Sequence, residues 1–369
     1  MYGASGLVLA VVLHLSMVRL GVAEWASALA TITFTTGPVS VLYENWLFYD
    51  YPVAVALALA FWLLLRARDH GRLCDWGAFF GVLAVVVLVR SAFGLAWLVG
   101  TALLALLLDR RRARTIAVGA LLPLVLVAAV CLKNRLVFGS FGTSTWLGMS
   151  LAKMTVFQIS PEERARLVLE RRVSGLGAVP PFSELPAYEP FLGQRAAAVT
   201  GVRVLDERRR STGANNYHHR AYVEISRQYL ADSIVVFRTR PGAYIRALRK
   251  AMDRYFTPPT TYPAFLPNIE HMTASFRFYE ATFYRPAVEI VVFSLAFLHA
   301  AVRGLRRGAS PEAHLPWLFL ALNLAYVTAV GTLFELGENN RFRLMCEPLA
   351  VIGFMAWARS AWEWTGRWR

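Results

Sequence analysis

Long apolar runs separated by short basic connectors make up most of the chain, and one polar stretch, residues 133–285, interrupts this alternation. Several of the runs reach the roughly 17–25 residues that a helix needs to cross a bilayer. We count nine runs, at residues 1–20, 24–41, 52–65, 76–89, 92–108, 115–132, 286–302, 315–334 and 344–358. The pattern therefore predicts an all-α polytopic membrane protein with about nine transmembrane helices, of which the second is the weakest.

The basic connectors predict the orientation of these spans. Residues 66–72, 109–114 and 303–307 are short and rich in arginine, and short connectors of this kind stay on the cytoplasmic side. With nine spans, all three connectors fall on one side together with the basic tail, residues 359–369. The long polar stretch then lies outside, because long loops cross the membrane largely regardless of their charge.

Three parts follow from this count. Residues 1–132 form an N-terminal transmembrane bundle of about six spans, and residues 286–369 form a C-terminal bundle of about three spans with a basic cytoplasmic tail. Residues 133–285 form an extracytoplasmic insert, which we expect to be mainly helical. Ser160 followed by Pro161 predicts a helix start, and Pro241 opens a basic amphipathic helix. The expected location is the bacterial inner membrane.

Composition supports this class of protein. The chain is 56% hydrophobic and carries a formal charge of +15, almost all of it from arginine. A coding bias towards arginine explains the total, and affinity for anionic lipid or phosphate is the functional interpretation. We expect membrane lipid and a lipid-linked sugar as partners and no nucleic acid. The three cysteines lie in or beside apolar runs and predict neither a disulfide framework nor a metal site.

Arginines at the predicted outer face are the best candidates for phosphate binding. Arg341 and Arg343 precede the last span, and in an extended segment both would point the same way. Paired guanidinium groups bind phosphate well, although arginines that snorkel to lipid head groups are the alternative. Arg90 stands alone between two apolar runs, either as a further phosphate ligand or as part of a hydrated hairpin turn.

Two carboxylates occupy the aromatic outer loop at residues 43–51. Glu44 and Asp50 are candidate catalytic bases, because transfer to a hydroxyl or amide needs a proton acceptor within reach; two solvated acids are the alternative. Trp146 and Ser144, in the Gly/Ser-rich exit from the sixth run, are candidate sugar contacts, with a flexible interfacial loop as the alternative. The adjacent histidines 218 and 219 do not share a helix face, so we expect no metal site.

At these residues the chain resembles the GT-C superfamily of membrane glycosyltransferases, and looks most similar to the protein O-mannosyltransferase and lipid A aminoarabinose transferase group. The resemblance rests on residues 43–52, on Lys133-Asn134 with the Gly/Ser/Trp loop that follows, and on residues 340–343 with Glu347-Pro348. It implies transfer of a sugar from a polyprenyl-phosphate carrier to a glycan, lipid or protein acceptor on the outer face, with arginine holding the phosphate.

One part of the family pattern is missing. The family's catalytic acid lies in the first outer loop, directly after the first span, and this sequence shows no such span and loop. The nine-span count also places Met1 outside, in an apolar run that no basic residues precede. We therefore expect a further span upstream of Met1; a chain that starts outside with a short first helix is the alternative. The resemblance leaves the base unassigned. An inactive, non-catalytic protein that binds lipid-linked glycan or assists envelope assembly is the alternative function. No cofactor is implied beyond the polyprenyl-phosphate sugar as donor.

Overall fold

A computed structural model describes residues 2–46, 48–192, 200–261, 265, 274–306, 308 and 310–366. The regular elements within these ranges are helices, apart from one isolated bridge between Arg209 and Asn215. The prediction of an all-α protein is therefore confirmed for the described residues. The α-helices in chain order are α1 Tyr2–Arg19, α2 Glu24–Thr35, α3 Pro38–Asn45, α4 Asp50–His70, α5 Leu73–Val89, α6 Leu95–Leu108, α7 Ala113–Phe138, α8 Leu147–Met154, α9 Pro161–Leu169, α10 Arg203–Asp206, α11 Ala221–Thr239, α12 Pro241–Tyr255, α13 Ala274–Phe283, α14 Pro286–Leu305, α15 Pro311–Leu333 and α16 Asn339–Gly366.

Several of these helices are compatible with a membrane protein. Among the described residues, four segments are long and apolar enough to cross a bilayer, namely Asp50–His70, Arg110–Phe138, Pro286–Leu305 and Pro311–Leu333. Three further apolar helices are shorter, at Gly3–Arg19, Leu73–Val89 and Leu95–Leu108. The chain is thus a helical protein with at least part of its length suited to the bilayer interior.

The weak second run differs from a single spanning helix. It is divided into α2, of 12 residues, and α3, of 8 residues. The division falls where Gly37 is extended and Pro38 opens α3, because proline has no N–H to continue the preceding helical hydrogen bonds. A helix of 12 residues rises about 18 Å, which is short of the hydrocarbon core.

The chain divides into two compact units. The first comprises residues 1–133, 254–330 and 340–369, and the second comprises residues 134–253 with 331–339. The longer segment of the second unit ends at Asp253, whereas the insert expected from the sequence extends to residue 285.

The first unit is a bundle in which α4 packs against α1 and α5. Gly71 ends α4 in the left-handed conformation that glycine adopts without strain, so that α5 turns back alongside it. Basic side chains collect at this end of the bundle: Arg19 pairs with Asp69, and Arg66 pairs with Asp75 at 3.1 Å. Helix α4 begins at Asp50, at the opposite end of the bundle.

Arginines from later in the chain reach the same basic end of the bundle. Arg112 donates to the backbone carbonyl of Arg68, and Arg359 donates to that of Leu20. The segment before α7 therefore meets the end of α4 near the α4–α5 turn, and the last part of α16 meets the α1–α2 turn. The predicted basic connectors at residues 66–72 and 109–114 are thus neighbours in space.

The second unit is built around α8 and α11. The two helices touch at Gly148, whose backbone N–H donates to Ser226 Oγ at 3.1 Å. Ser160 caps α9 by accepting a hydrogen bond from the Glu163 N–H, which confirms the helix start expected there. Burial of the tyrosine-rich core raises the pKa of Tyr222 to about 12.

Candidate functional site

Three charged side chains from distant parts of the sequence meet at one end of the first unit. Asp50 is the first residue of α4, Arg90 directly follows α5, and Arg341 lies in the first turn of α16. Since α4 and α5 form an antiparallel hairpin, the start of one and the end of the other must lie together. We call Asp50, Arg90 and Arg341 the Asp50 cluster.

The Asp50 cluster is buried and tightly paired. Arg341 donates from Nε and Nη2 to Asp50 Oδ2, at 3.0 and 2.7 Å. Arg90 Nη2 lies 3.9 Å from Asp50 Oδ1. Asp50 is 0% exposed, Arg341 2% and Arg90 9%. Charges removed from water to this extent persist only when they are paired, because desolvation costs several kcal/mol for each ion.

Aromatic rings line the cluster. The Arg341 guanidinium carbon lies 4.2 Å from the centre of the Phe48 ring, and that of Arg90 lies 4.4 Å from Tyr49 and 4.5 Å from Phe342. Rings at these distances attract a cation through their negative faces. The aromatic segment expected as an outer loop thus forms part of the wall around the two arginines.

Arg90 and Arg341 both face Asp50, and two atoms of the cluster are unused. The two guanidinium groups lie 3.9 and 2.7 Å from the Asp50 carboxylate. Among the described residues, Asp50 Oδ1 and Arg90 Nε have no hydrogen-bond partner. An anion with oxygen acceptors, such as a phosphodiester, could accept a hydrogen bond from Arg90 Nε.

Arg343 does not lie beside Arg341. The segment is helical from Asn339 onwards rather than extended, and two residues along a helix turn by about 200°. Arg343 instead donates to Glu347 Oε1 at 3.0 Å and lies 3.7 Å from Glu289 Oε1. Sequence reasoning did not single out Glu289 or Glu347 as site residues, although carboxylates within apolar runs are a recognised signal. We call these three residues the Arg343 cluster.

The second candidate base, Glu44, is on α3 and half-buried. Its carboxylate fills the space beside Gly6 of α1, where a Cβ atom would come within 2.5 Å of Glu44 Oε1. Glu44 is therefore fixed between two helices of the bundle. The structure does not pair it with Arg341 or Arg90.

The candidate sugar contacts belong to the second unit. The Trp146 ring stacks on His218 at 6.4 Å and contacts Phe182 edge-on at 5.8 Å, and Ser144 Oγ accepts from the Trp146 N–H at 3.2 Å. Burial, with a further effect from Arg210, lowers the pKa of His218, so that this ring is neutral near pH 7. Over the described ranges no group of three potential metal ligands occurs.

By its helices, the chain belongs to the class of helical proteins compatible with a membrane. Its bundle encloses two clusters of ionisable side chains. Comparisons of the chain with protein-family models, with curated proteins and with solved structures returned no match.

Proposed function

We propose that the chain is a membrane glycosyltransferase-like protein of the GT-C type, which moves a sugar from a polyprenyl-phosphate-linked donor to an extracytoplasmic acceptor. The observation that supports this best is the Asp50 cluster, because it places two guanidinium groups together in a buried, aromatic-lined setting. The phosphodiester of a lipid-linked sugar carries one negative charge and oxygen atoms that accept hydrogen bonds from guanidinium groups.

In the proposed reaction the bond between the sugar's anomeric carbon and the phosphate oxygen breaks, and the phosphate leaves with the electron pair. The acceptor oxygen or nitrogen forms the new bond and loses its proton to a base. Arg90 and Arg341 would stabilise the charge that develops on the phosphate, which is where preorganised donors contribute most. Asp50 holds Arg341 by two hydrogen bonds and so acts as a positioning residue.

The base in this proposal is Glu44, since Asp50 is engaged by Arg341. Arg343 pairs with Glu289 and Glu347, so the proposal does not include it as a phosphate ligand. Trp146 and Ser144, which belong to the second unit, stay predictions as contacts for a sugar.

The proposal includes nine crossings, the bacterial inner membrane and an extracytoplasmic position for residues 133–285. The chain path in the first unit supports the crossings. Helices α1 and α4 end at the basic end of the bundle, and helices α2 and α5 begin there. The helices α2 and α3 together would make the second crossing.

The test is transfer of a labelled sugar from a polyprenyl-phosphate donor by the purified chain in liposomes. We expect Arg341→Ala to lower the rate about 100-fold, as loss of one charge-stabilising donor typically does. Because that variant leaves the buried Asp50 with only the Arg90 contact at 3.9 Å, a second variant is needed. Asp50→Asn/Arg341→Gln, which removes both charges, should give the same loss with a folded protein. Arg254→Ala, an exposed arginine of the same unit, should transfer at the wild-type rate.

Binding of polyprenyl phosphate, measured by native mass spectrometry on the same proteins, separates the two candidate functions. Binding that depends on Arg341, without any transfer, would favour the non-catalytic carrier protein; the engagement of Asp50 in an ion pair is the observation on that side. Transfer that is equal in wild type and both Arg341 variants would overturn the phosphate assignment.

A further inference from the structure

The Arg343 cluster has more carboxylates than guanidinium groups. One guanidinium group faces two carboxylates, Glu347 at 3.0 Å and Glu289 at 3.7 Å. Arg343 is 0% exposed, Glu347 3% and Glu289 7%. With both carboxylates ionised the cluster carries one negative charge, which is costly in such surroundings unless a cation or a proton balances it.

Some polar atoms of this cluster are unused. Glu347 Oε2, together with Nη1 and Nη2 of Arg343, has no hydrogen-bond partner among the described residues. A buried carboxylate oxygen without a donor is unfavourable, because it has lost its hydrogen bonds to water. The unused oxygen on Glu347 can therefore accept a hydrogen bond from a donor outside the protein.

Glu289 and Glu347 both line a groove of about 390 Å³ in the first unit. Its walls come from α2, α13, α14 and α16, and apart from the carboxylates they are mostly aliphatic and aromatic. Trp25, Phe283 and Phe354 are among the lining residues. The volume lies within the range of sites that hold small ligands.

The groove is polar at one end only. On α16 its lining extends from Glu347 to Met355, a rise of about 12 Å. On α2 it extends from Phe34 back to Trp25. The carboxylates mark the end where α16 begins, and the apolar walls continue towards the basic end of the bundle. A ligand that fills the groove must therefore be long, apolar along its length and able to donate hydrogen bonds at one end.

We propose that this groove binds an amphiphile whose head group carries a single protonated amine, with the ammonium between Glu289 and Glu347 and the aliphatic chain along α2 and α16. The ammonium supplies the missing donor to Glu347 Oε2 and balances the excess negative charge. An anionic head group meets two carboxylates and is excluded on the same grounds. The site is separate from the phosphate site of the proposed function.

The experiment compares three probes with the same chain, dodecylamine, dodecanol and dodecyl phosphate, below their micelle concentrations. The amine is protonated at pH 7, since alkyl ammonium groups like that of lysine titrate near pH 10.4. Binding to the purified protein in nanodiscs of phosphatidylcholine is measured by native mass spectrometry. We expect dodecylamine to bind at least about tenfold more tightly than dodecanol, and dodecyl phosphate to bind most weakly.

Two variants locate the site. Glu289→Gln removes the net charge while Arg343 keeps its hydrogen bond to Glu347, so it should abolish the preference for amine over alcohol. Ala30→Phe, in the groove wall, should weaken both probes. The control Glu24→Gln changes an exposed carboxylate at the start of α2 and should leave the preference intact.

Equal binding of amine and alcohol by the wild type would overturn the proposal. It would mean that a proton shared by the two glutamates, rather than an ammonium group, neutralises the cluster. An amine preference that survives Glu289→Gln, or tighter binding of dodecyl phosphate, would overturn it as well. None of these readouts involves sugar transfer, so failure here is distinct from failure of the proposed function.

Discussion

At the residue scale, the two arginines of α16 show how helix phase separates chemically equal side chains. Arg341 and Arg343 are two residues apart, and both are fully enclosed. Arg341 faces Asp50 and Arg90, whereas Arg343 faces two glutamates. The same residue type thus has different partners on the two sides of one helix.

The Asp50–Arg341 pair gives the first prediction at this scale. Asp50→Ala should lower the free energy of unfolding by about 3–5 kcal/mol, because it removes the buried carboxylate that pairs with Arg341 and faces Arg90. The measurement is denaturant or thermal unfolding of the purified protein in detergent.

Asp69→Ala is the matched control. Asp69 also pairs with two arginines, Arg19 and Arg68, but at a partly exposed position, so its loss should cost less than about 1 kcal/mol. Equal destabilisation by the two changes would show that burial does not set the strength of the Asp50 pair.

At the element scale, α8 and α11 of the second unit approach closely because Gly148 has no side chain. A Cβ atom at Gly148 would lie 1.7 Å from the carbonyl oxygen of Ser226, which is backbone and cannot rotate away. The same approach allows the Gly148 N–H to bond Ser226 Oγ, which satisfies one of the free donors at the start of α8.

Gly148→Ala should therefore force the two helices apart and lower the stability of the second unit by about 1–3 kcal/mol, the usual cost of overpacking. Limited proteolysis, with mapping of cleavage sites within residues 134–253, measures the loss. Gly242→Ala is the control, since the nearest atom to a Cβ there is the end of the Arg246 side chain at 3.7 Å. Cleavage that is no faster in Gly148→Ala than in Gly242→Ala would contradict the close-packing account.

At the scale of the whole molecule, α4 separates two chemically different ends of the first unit. It has 21 residues, which correspond to about 30 Å. Asn45 and the Asp50 cluster lie at its start, and Cys74 follows the turn after its end. If the basic end is cytoplasmic, as short Arg-rich connectors predict, these two positions lie on opposite sides of the membrane.

Cysteine labelling tests this orientation. Of the native thiols Cys74 is exposed, whereas Cys131 and Cys346 are buried. A membrane-impermeant maleimide should label Asn45→Cys, in a Cys74→Ser background, in intact cells. The wild-type chain should be labelled only after the membrane is permeabilised, and its labelling in intact cells would reverse the orientation.

The sequence by itself determined the class of the protein and most of its helices. Run length and hydropathy are local properties, and they predicted an all-α protein with bilayer-compatible helices without knowledge of any contact. Local chemistry also identified Asp50, Arg90 and Arg341 as candidates, because charges beside apolar runs are conspicuous. The division of the second run at Gly37-Pro38 was visible in the residues, but its effect on the helix needed the backbone.

Only the tertiary structure decided how the charges pair. Asp50 and Arg341 are 291 positions apart, and the residues beside each of them in the sequence do not indicate that the other is its partner. Glu289 became part of a site only when α14 was packed against α16, so that two carboxylates met one guanidinium at the side of an apolar groove. Pairing depends on helix phase and on which helices are neighbours, and both are set by packing of the whole bundle rather than by any single segment.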